Sequence, residues 1–144
     1  MSKFRLEKVL AHRRALETTA QLKLAAALQY ESELRAEAGL VREKLAATDE
    51  EFEERKRTGV TADELLLYQG QRDRLARRLA DLLQRCAAAA REVEERRGEL
   101  VAASQDKRLL ERLKEKKEEE SRTEMRREEN ILLDEIAIQK FQVR

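Results

Sequence analysis

From Leu34 to Phe52 the apolar residues fall at Leu34, Ala38, Val41, Leu45 and Phe52, with Thr48 as the one interruption. Steps of four, three, four and seven define a stripe with a 3.5-residue period, the spacing of helices packed along a narrow seam. Upstream, Leu6, Val9, Leu16, Ala20, Leu24, Ala27 and Tyr30 continue one stripe at looser spacing. Residues ~4–57 therefore read as one helix. A second stretch is more regular: Leu65, Tyr68, Leu75, Leu79, Leu82, Cys86, Ala89, Val93, Leu100, Ala103 and Leu110. Arg72, Arg96 and Lys107 occupy seam positions there, where they lower stability and help to fix register while their stems cover the stripe. Residues ~61–141 read as the second helix, longer than the first.

Between the two, Thr58-Gly59-Val60-Thr61 follows the basic run Arg55-Lys56-Arg57. Cations suit the negative end of a helix dipole, and glycine accepts the left-handed conformation that ends a helix. Thr61 lies three residues before Glu64, the spacing of a capping box in which each side chain satisfies a free backbone N–H. A turn at ~58–61 makes the helices antiparallel neighbours, with positions whose numbers add to roughly 118 facing each other. Leu45 should then lie near Arg72 and Leu75, and the Tyr30 ring should face Ala87-Ala88-Ala89-Ala90. The fold class is thus all-α: a two-helix antiparallel coiled-coil hairpin forming a single coiled-coil domain over 1–144. At 1.5 Å per residue the helices would be about 80 and 120 Å long, so pairing runs out near residue 114 and the last ~27 residues project.

That last stretch changes character along its length. Lys114 to Asn130 contains Met125 and otherwise almost only charged residues, with pairs such as Glu118 and Arg122 four apart, which supports a solvated helix. Ile131, Leu132, Leu133, Ile136, Ile138 and Phe141 then crowd the end. Large apolar residues without an intramolecular partner point to a docking surface, with self-association as the alternative. Leu65, Leu66 and Leu67 are consecutive and cannot all face a narrow seam, so the hairpin tip is a second candidate surface. Gly39, Gly70 and Gly98 sit within helices at a cost of about 1 kcal/mol each against Ala, either as tolerated defects or to allow close helix approach.

Composition agrees with this pattern. Ala, Glu, Lys, Leu and Arg make up roughly two thirds of the 144 residues, proline is absent, and aromatic residues are 3%. Charged residues are 42%, yet Lys plus Arg (31) nearly equals Asp plus Glu (30). Such balance gives no net field to attract a polyanion, so no nucleic-acid partner is expected. Regular apolar spacing decides against disorder. A lone cysteine, Cys86, fits a reducing compartment and a small packed thiol at a seam position. The N-terminal residues turn charged at once, without the apolar core of a signal peptide, and no apolar run approaches the ~18 residues of a membrane span. Direct membrane insertion is therefore not expected. His12 is the one histidine, no glycine-rich phosphate loop is present, and a solvated coiled coil offers no cleft to perturb carboxylates. The sequence reads as a non-enzyme with no cofactor and no metal site.

The pattern as a whole resembles the FliJ family, small coiled-coil proteins of the bacterial flagellar export apparatus. The resemblance rests on Phe4-x-Leu6-x-x-Val9-Leu10-x-x-Arg13-x-x-x-Glu17, on the Gly59 turn followed by Leu65 and Tyr68, and on Leu110-Glu111-x-Leu113-Lys114-Glu115-Lys116. The ending Asp134-Glu135-Ile136-Ala137-x-x-x-Phe141 completes it. These pieces occur in order along the whole chain. The resemblance implies an accessory stalk, akin to the central stalk of rotary ATPases, that promotes assembly of the export ATPase hexamer. It also implies contact with the cytoplasmic part of the transmembrane export gate and a link to export chaperones. The expected location is cytoplasmic, peripheral at the inner face of the cell membrane through the flagellar basal body. On this resemblance the ATPase contact falls on Phe4, Leu6, Arg13, Ile136 and Phe141, and the gate contact on Leu66, Tyr68 and Leu75 near the tip. A generic coiled-coil spacer or tether, or a stalk of another secretion or rotary ATPase system, would share the composition.

Overall fold

A computed structural model describes residues 3–143. Among them are two helices, α1 (Lys3–Thr58) and the longer α2 (Ala62–Val143), and no strand. The link between them is built by local chemistry. Gly59 has φ of 110°, in the region closed to residues with a Cβ, and its N–H donates to the Arg55 carbonyl at 2.9 Å. Arg55, Lys56 and Arg57 occupy the last turn of α1, while Asp63 and Glu64 occupy the first turn of α2, each sign complementing the adjacent dipole. Thr61 caps α2: its Oγ1 accepts from the Glu64 N–H at 3.2 Å, and its carbonyl accepts from the Leu65 N–H at 3.0 Å. Only this half of the expected capping box has its textual form in the structure, because the Glu64 carboxylate reaches across the turn to the Arg55 guanidinium at 3.0 Å.

The chain divides into two units. Thr19–Leu100 contains the turn and the helix segments on either side of it, packed as an antiparallel hairpin. Its core is Leu34, Ala38, Val41, Leu82 and Ala89, with Leu75, Leu79 and Cys86 packed against it. These residues sit three and four apart, so each helix contributes one stripe. Thr48 continues that stripe at 7% exposure, its hydroxyl satisfied by the Lys44 carbonyl at 2.8 Å. Asp49–Arg72 at 2.9 Å and Glu37–Arg78 flank the seam and agree with the antiparallel register read from the sequence.

The other unit joins the segment up to Thr18 with the segment from Val101. Leu6 and Leu10 are its buried anchors. Opposite them α2 presents a half-buried stripe at Ala103, Ser104, Lys107, Leu110, Glu111, Lys114, Lys117 and Glu118. From Glu119 to Gln142 every residue of α2 is exposed.

One expectation about α1 is corrected. Leu16 and Tyr30 are 40% and 50% exposed and do not belong to the seam. The 3.5-residue period continues without a break through Arg13, Glu17, Ala20, Leu24, Ala27 and Glu31 to Leu34, all buried or half-buried. Tyr30 instead lines a shallow groove with Lys23, Ala26, Ala27, Glu92 and Arg96, while Ala89 packs in the core. Gly39, Gly70 and Gly98 have open space where a Cβ would sit, so none serves a close helix approach.

Two outcomes follow for thermal or urea unfolding. Gly98→Ala should stabilise by about 1 kcal/mol, whereas Gly59→Ala should destabilise by a similar amount because of its φ. Leu82→Ala should cost ~2–5 kcal/mol, and Leu83→Ala, one residue away but 44% exposed, should be near neutral.

Candidate functional site

Two zones of exposed apolar side chains stand out, one in each unit. The larger is the end of α2. Ile131, Leu132, Leu133, Ile136, Ile138 and Phe141 range from 42% to 85% exposed. Successive helical residues are separated by about 100°, so Ile131, Leu132 and Leu133 alone span more than half the circumference. Ile138 and Phe141 fall in the remaining arc, and Ile136 lies between Leu132 and Leu133. Large apolar side chains thus emerge on all sides of this segment, interleaved with Asp134, Glu135, Gln139 and Lys140, unlike a surface helix with one apolar stripe. The preceding turns, from Glu119 to Asn130, carry charge of both signs and keep that part of the helix solvated.

The second zone lies beside the turn, in the hairpin unit. Leu65 turns inward, leaving Leu66 and Leu67 at 66% and 72% exposure. Next to them the half-buried Tyr68 ring packs on Phe52 with centroids 5.4 Å apart, and the Lys56 ammonium lies 4.1 Å from the Phe52 centroid. The Tyr68 hydroxyl donates to Glu51 Oε1 at 3.0 Å. Burial first, and then this acceptor beside the hydroxyl, push the phenol above its ordinary range.

The residues named from the sequence are placed unevenly. Phe4 is 67% exposed, with the Lys8 ammonium 4.8 Å from its ring centroid. Arg13 is half-buried and pairs with Asp106 at 3.4 Å. Ile136 and Phe141 are exposed on α2. Leu6, by contrast, is 1% exposed, so its side chain holds α1 against α2 and leaves no surface for a partner. Leu75 is likewise engaged with the hairpin core, while Leu66 and part of Tyr68 remain accessible.

Sequence reasoning missed the polar layer in the seam of the N-terminal unit. Glu17 accepts from the Ser104 hydroxyl at 2.7 Å and from the Lys107 ammonium at 3.0 Å. The Ser104 bond first, and then Lys107, hold the Glu17 carboxyl below the usual glutamate range. Arg13–Asp106 and Arg14–Glu111, the latter at 3.8 Å, flank it. Lys107 was legible as a seam residue. Glu17 could have been found by extending the strict period of Leu34–Phe52 toward the N-terminus instead of following the leucines. A hydrogen-bonded charge pair between two apolar stretches specifies one register, because sliding by a turn would leave Glu17 and Lys107 half-buried without partners.

No helix among the described residues is long and apolar enough to cross a membrane. The fold and its exposed zones define a class: a two-helix hairpin protein with exposed apolar side chains in each unit. The model of the flagellar FliJ protein family matches residues 1–144, the whole chain, and the protein belongs to the FliJ family. Membership makes it a component of the bacterial flagellar export apparatus. No curated protein and no solved structure gives a significant match.

The Glu17 layer makes stability pH-dependent with a defined sign. A carboxyl whose folded pKa is depressed stabilises the fold above its unfolded pKa and loses that contribution as pH falls through the folded value. Wild type should therefore have a higher thermal midpoint than Glu17→Gln at neutral pH. The difference should shrink as pH drops below the ordinary carboxylate range, as followed by circular dichroism.

Proposed function

We propose that the protein is an accessory stalk that binds the export ATPase ring through the end of α2 and reaches the cytoplasmic part of the export gate through the zone beside Gly59. The observation that carries this reading is the emergence of large apolar side chains on every side of residues 131–141. A helix meeting a flat or grooved partner needs one apolar stripe, whereas a helix enclosed by its partner buries every side. The central hole of a ring of subunits provides such an enclosure. The charged segment before it keeps the helix soluble until it is inserted. Phe4, exposed in the same unit, and Arg13 lie on α1 and complete the ATPase-facing set with Ile136 and Phe141, while Leu6 supports them from within the seam.

At the other zone, Leu66 and Leu67 provide the exposed apolar contact, with Tyr68 beside them. Leu75 acts through packing, by fixing the helix that presents them. Hydrolysis belongs to the ring. The stalk alters its rate by binding one arrangement of the subunits more tightly than another. Location at the inner face of the membrane then follows from the partners, and an export chaperone is a further partner of the same exposed surfaces.

Co-purification with the export ATPase tests this. Truncation before Ile131 should leave the hairpin helical and abolish stable ATPase binding. Ile136→Ala with Phe141→Ala should weaken it by about tenfold or more, the range of an interface hot spot, without lowering the unfolding midpoint. Leu66→Ala with Leu67→Ala should spare ATPase binding and reduce gate binding. ATPase rate and ring formation unchanged at saturating protein would favour a passive spacer instead.

A further inference from the structure

The N-terminal unit holds a feature that the apolar docking zones do not use. Lys3 and Leu6 of α1 and Lys114, Lys117, Glu118, Ser121 and Arg122 of α2 line a groove of about 360 Å³. Its floor includes the buried Leu6, and four of its lining side chains are cationic against one carboxylate. The surrounding sequence has the same sign. Residues 3–8 carry Lys3, Arg5 and Lys8 against Glu7, and residues 112–117 carry Arg112, Lys114, Lys116 and Lys117 against Glu115. The whole chain is balanced at a net charge of +1, so this is a local concentration made by bringing two basic segments together. Three cations elsewhere in the unit pair across the helices: Arg13 with Asp106, Arg14 with Glu111 and Lys107 with Glu17. Lys3 and Lys114 take part in none of these pairs.

We infer that this groove is a docking site for a short acidic segment of a protein partner, one carrying clustered carboxylates. Charge complementarity fixes the sign of the occupant, since anionic groups seated between Lys3, Lys114 and Arg122 meet cations from both helices. Leu6 is buried beneath the groove and offers it no surface, so recognition rests on the cations of the two helices. A concave notch is poorly matched to a lipid surface or a nucleic-acid duplex. Glu118, Glu119 and Glu120 follow the basic run at once, so an extended anionic surface laid along α2 would be repelled where a short acidic segment ends. The site deepens the reading of this unit as a partner-binding end, and it rests on that reading for its biological occupant. Its chemistry can be tested independently.

The probe is a fluorescent ten-residue oligoglutamate peptide, titrated by anisotropy against the full chain. Saturable binding that weakens with added salt is expected, and Lys3→Glu with Lys114→Glu should raise its Kd by about tenfold or more. Arg91→Glu, exposed in the other unit, should leave Kd unchanged. Circular dichroism of each variant establishes that the helices persist, and Lys3→Arg with Lys114→Arg should retain binding. No peptide binding, equal weakening by the Arg91 variant, or binding only to vesicles containing anionic phospholipid would overturn the proposal. Loss of the peptide site with ATPase binding intact would leave the stalk function standing, and the reverse pattern would remove the function while keeping the groove.

Discussion

The structure depends on burying a stripe one or two side chains wide along each helix. Neither stripe can be covered by its own helix, and with 3% aromatic residues no thick core is available to either. The turn at Gly59 solves this by returning the chain on itself, so that Leu34, Ala38 and Val41 share one core with Leu82 and Ala89. Because the seam is thin, few residues carry most of the burial, and local devices such as the Thr61 cap matter more than they would in a large globule.

Polar residues in the seam are the second determinant. Apolar stripes of uniform spacing tolerate sliding by one heptad, whereas charged pairs do not. In the N-terminal unit Glu17, Ser104 and Lys107 form such a layer, and in the hairpin unit Glu37–Arg78 and Asp49–Arg72 flank the core. Many of the remaining ion pairs are exposed contacts within one helix, such as Arg35–Glu31 and Arg85–Asp81, which add little individually. Glu17–Lys107 is the pair whose two side chains are both largely covered, whereas Glu37–Arg78 and Asp49–Arg72 lie at the exposed margin of their seam, and register decides which side chains each unit leaves outside.

Much of this was legible in the sequence because a coiled-coil pattern is a direct record of geometry. The turn residues, the two helices and most of the seam of α2 follow from spacing and from the chemistry of Gly59 and Thr61; Arg72, read as a seam position, is exposed and pairs with Asp49 at the margin. The seam of α1 was harder to read. Leu16 and Tyr30 drew the stripe off its true line, since large apolar residues are not confined to the buried face of a helix. The real line passes through Arg13, Glu17 and Glu31, of which Arg13 and Glu17 look like solvent residues until α2 supplies Asp106, Ser104 and Lys107. Similarly, Leu6 and Leu75 have the composition of contact residues, and only the packing shows that they face inward. The basic groove was hidden by the balanced total charge, because residues 3–8 and 112–117 are far apart in sequence. Membership of the FliJ family joins this architecture to flagellar export.

The central physical claim is the reversal of the chain at Gly59, and a distance measurement tests it most directly. Spin labels at the exposed positions Ala36 and Gln84, with Cys86 replaced by Ala, would be read by double electron–electron resonance. Antiparallel helices packed 8–10 Å apart place the two labels within about 30 Å of each other. One continuous helix through residues 58–62 would separate them by about 70 Å, and that result would contradict the account.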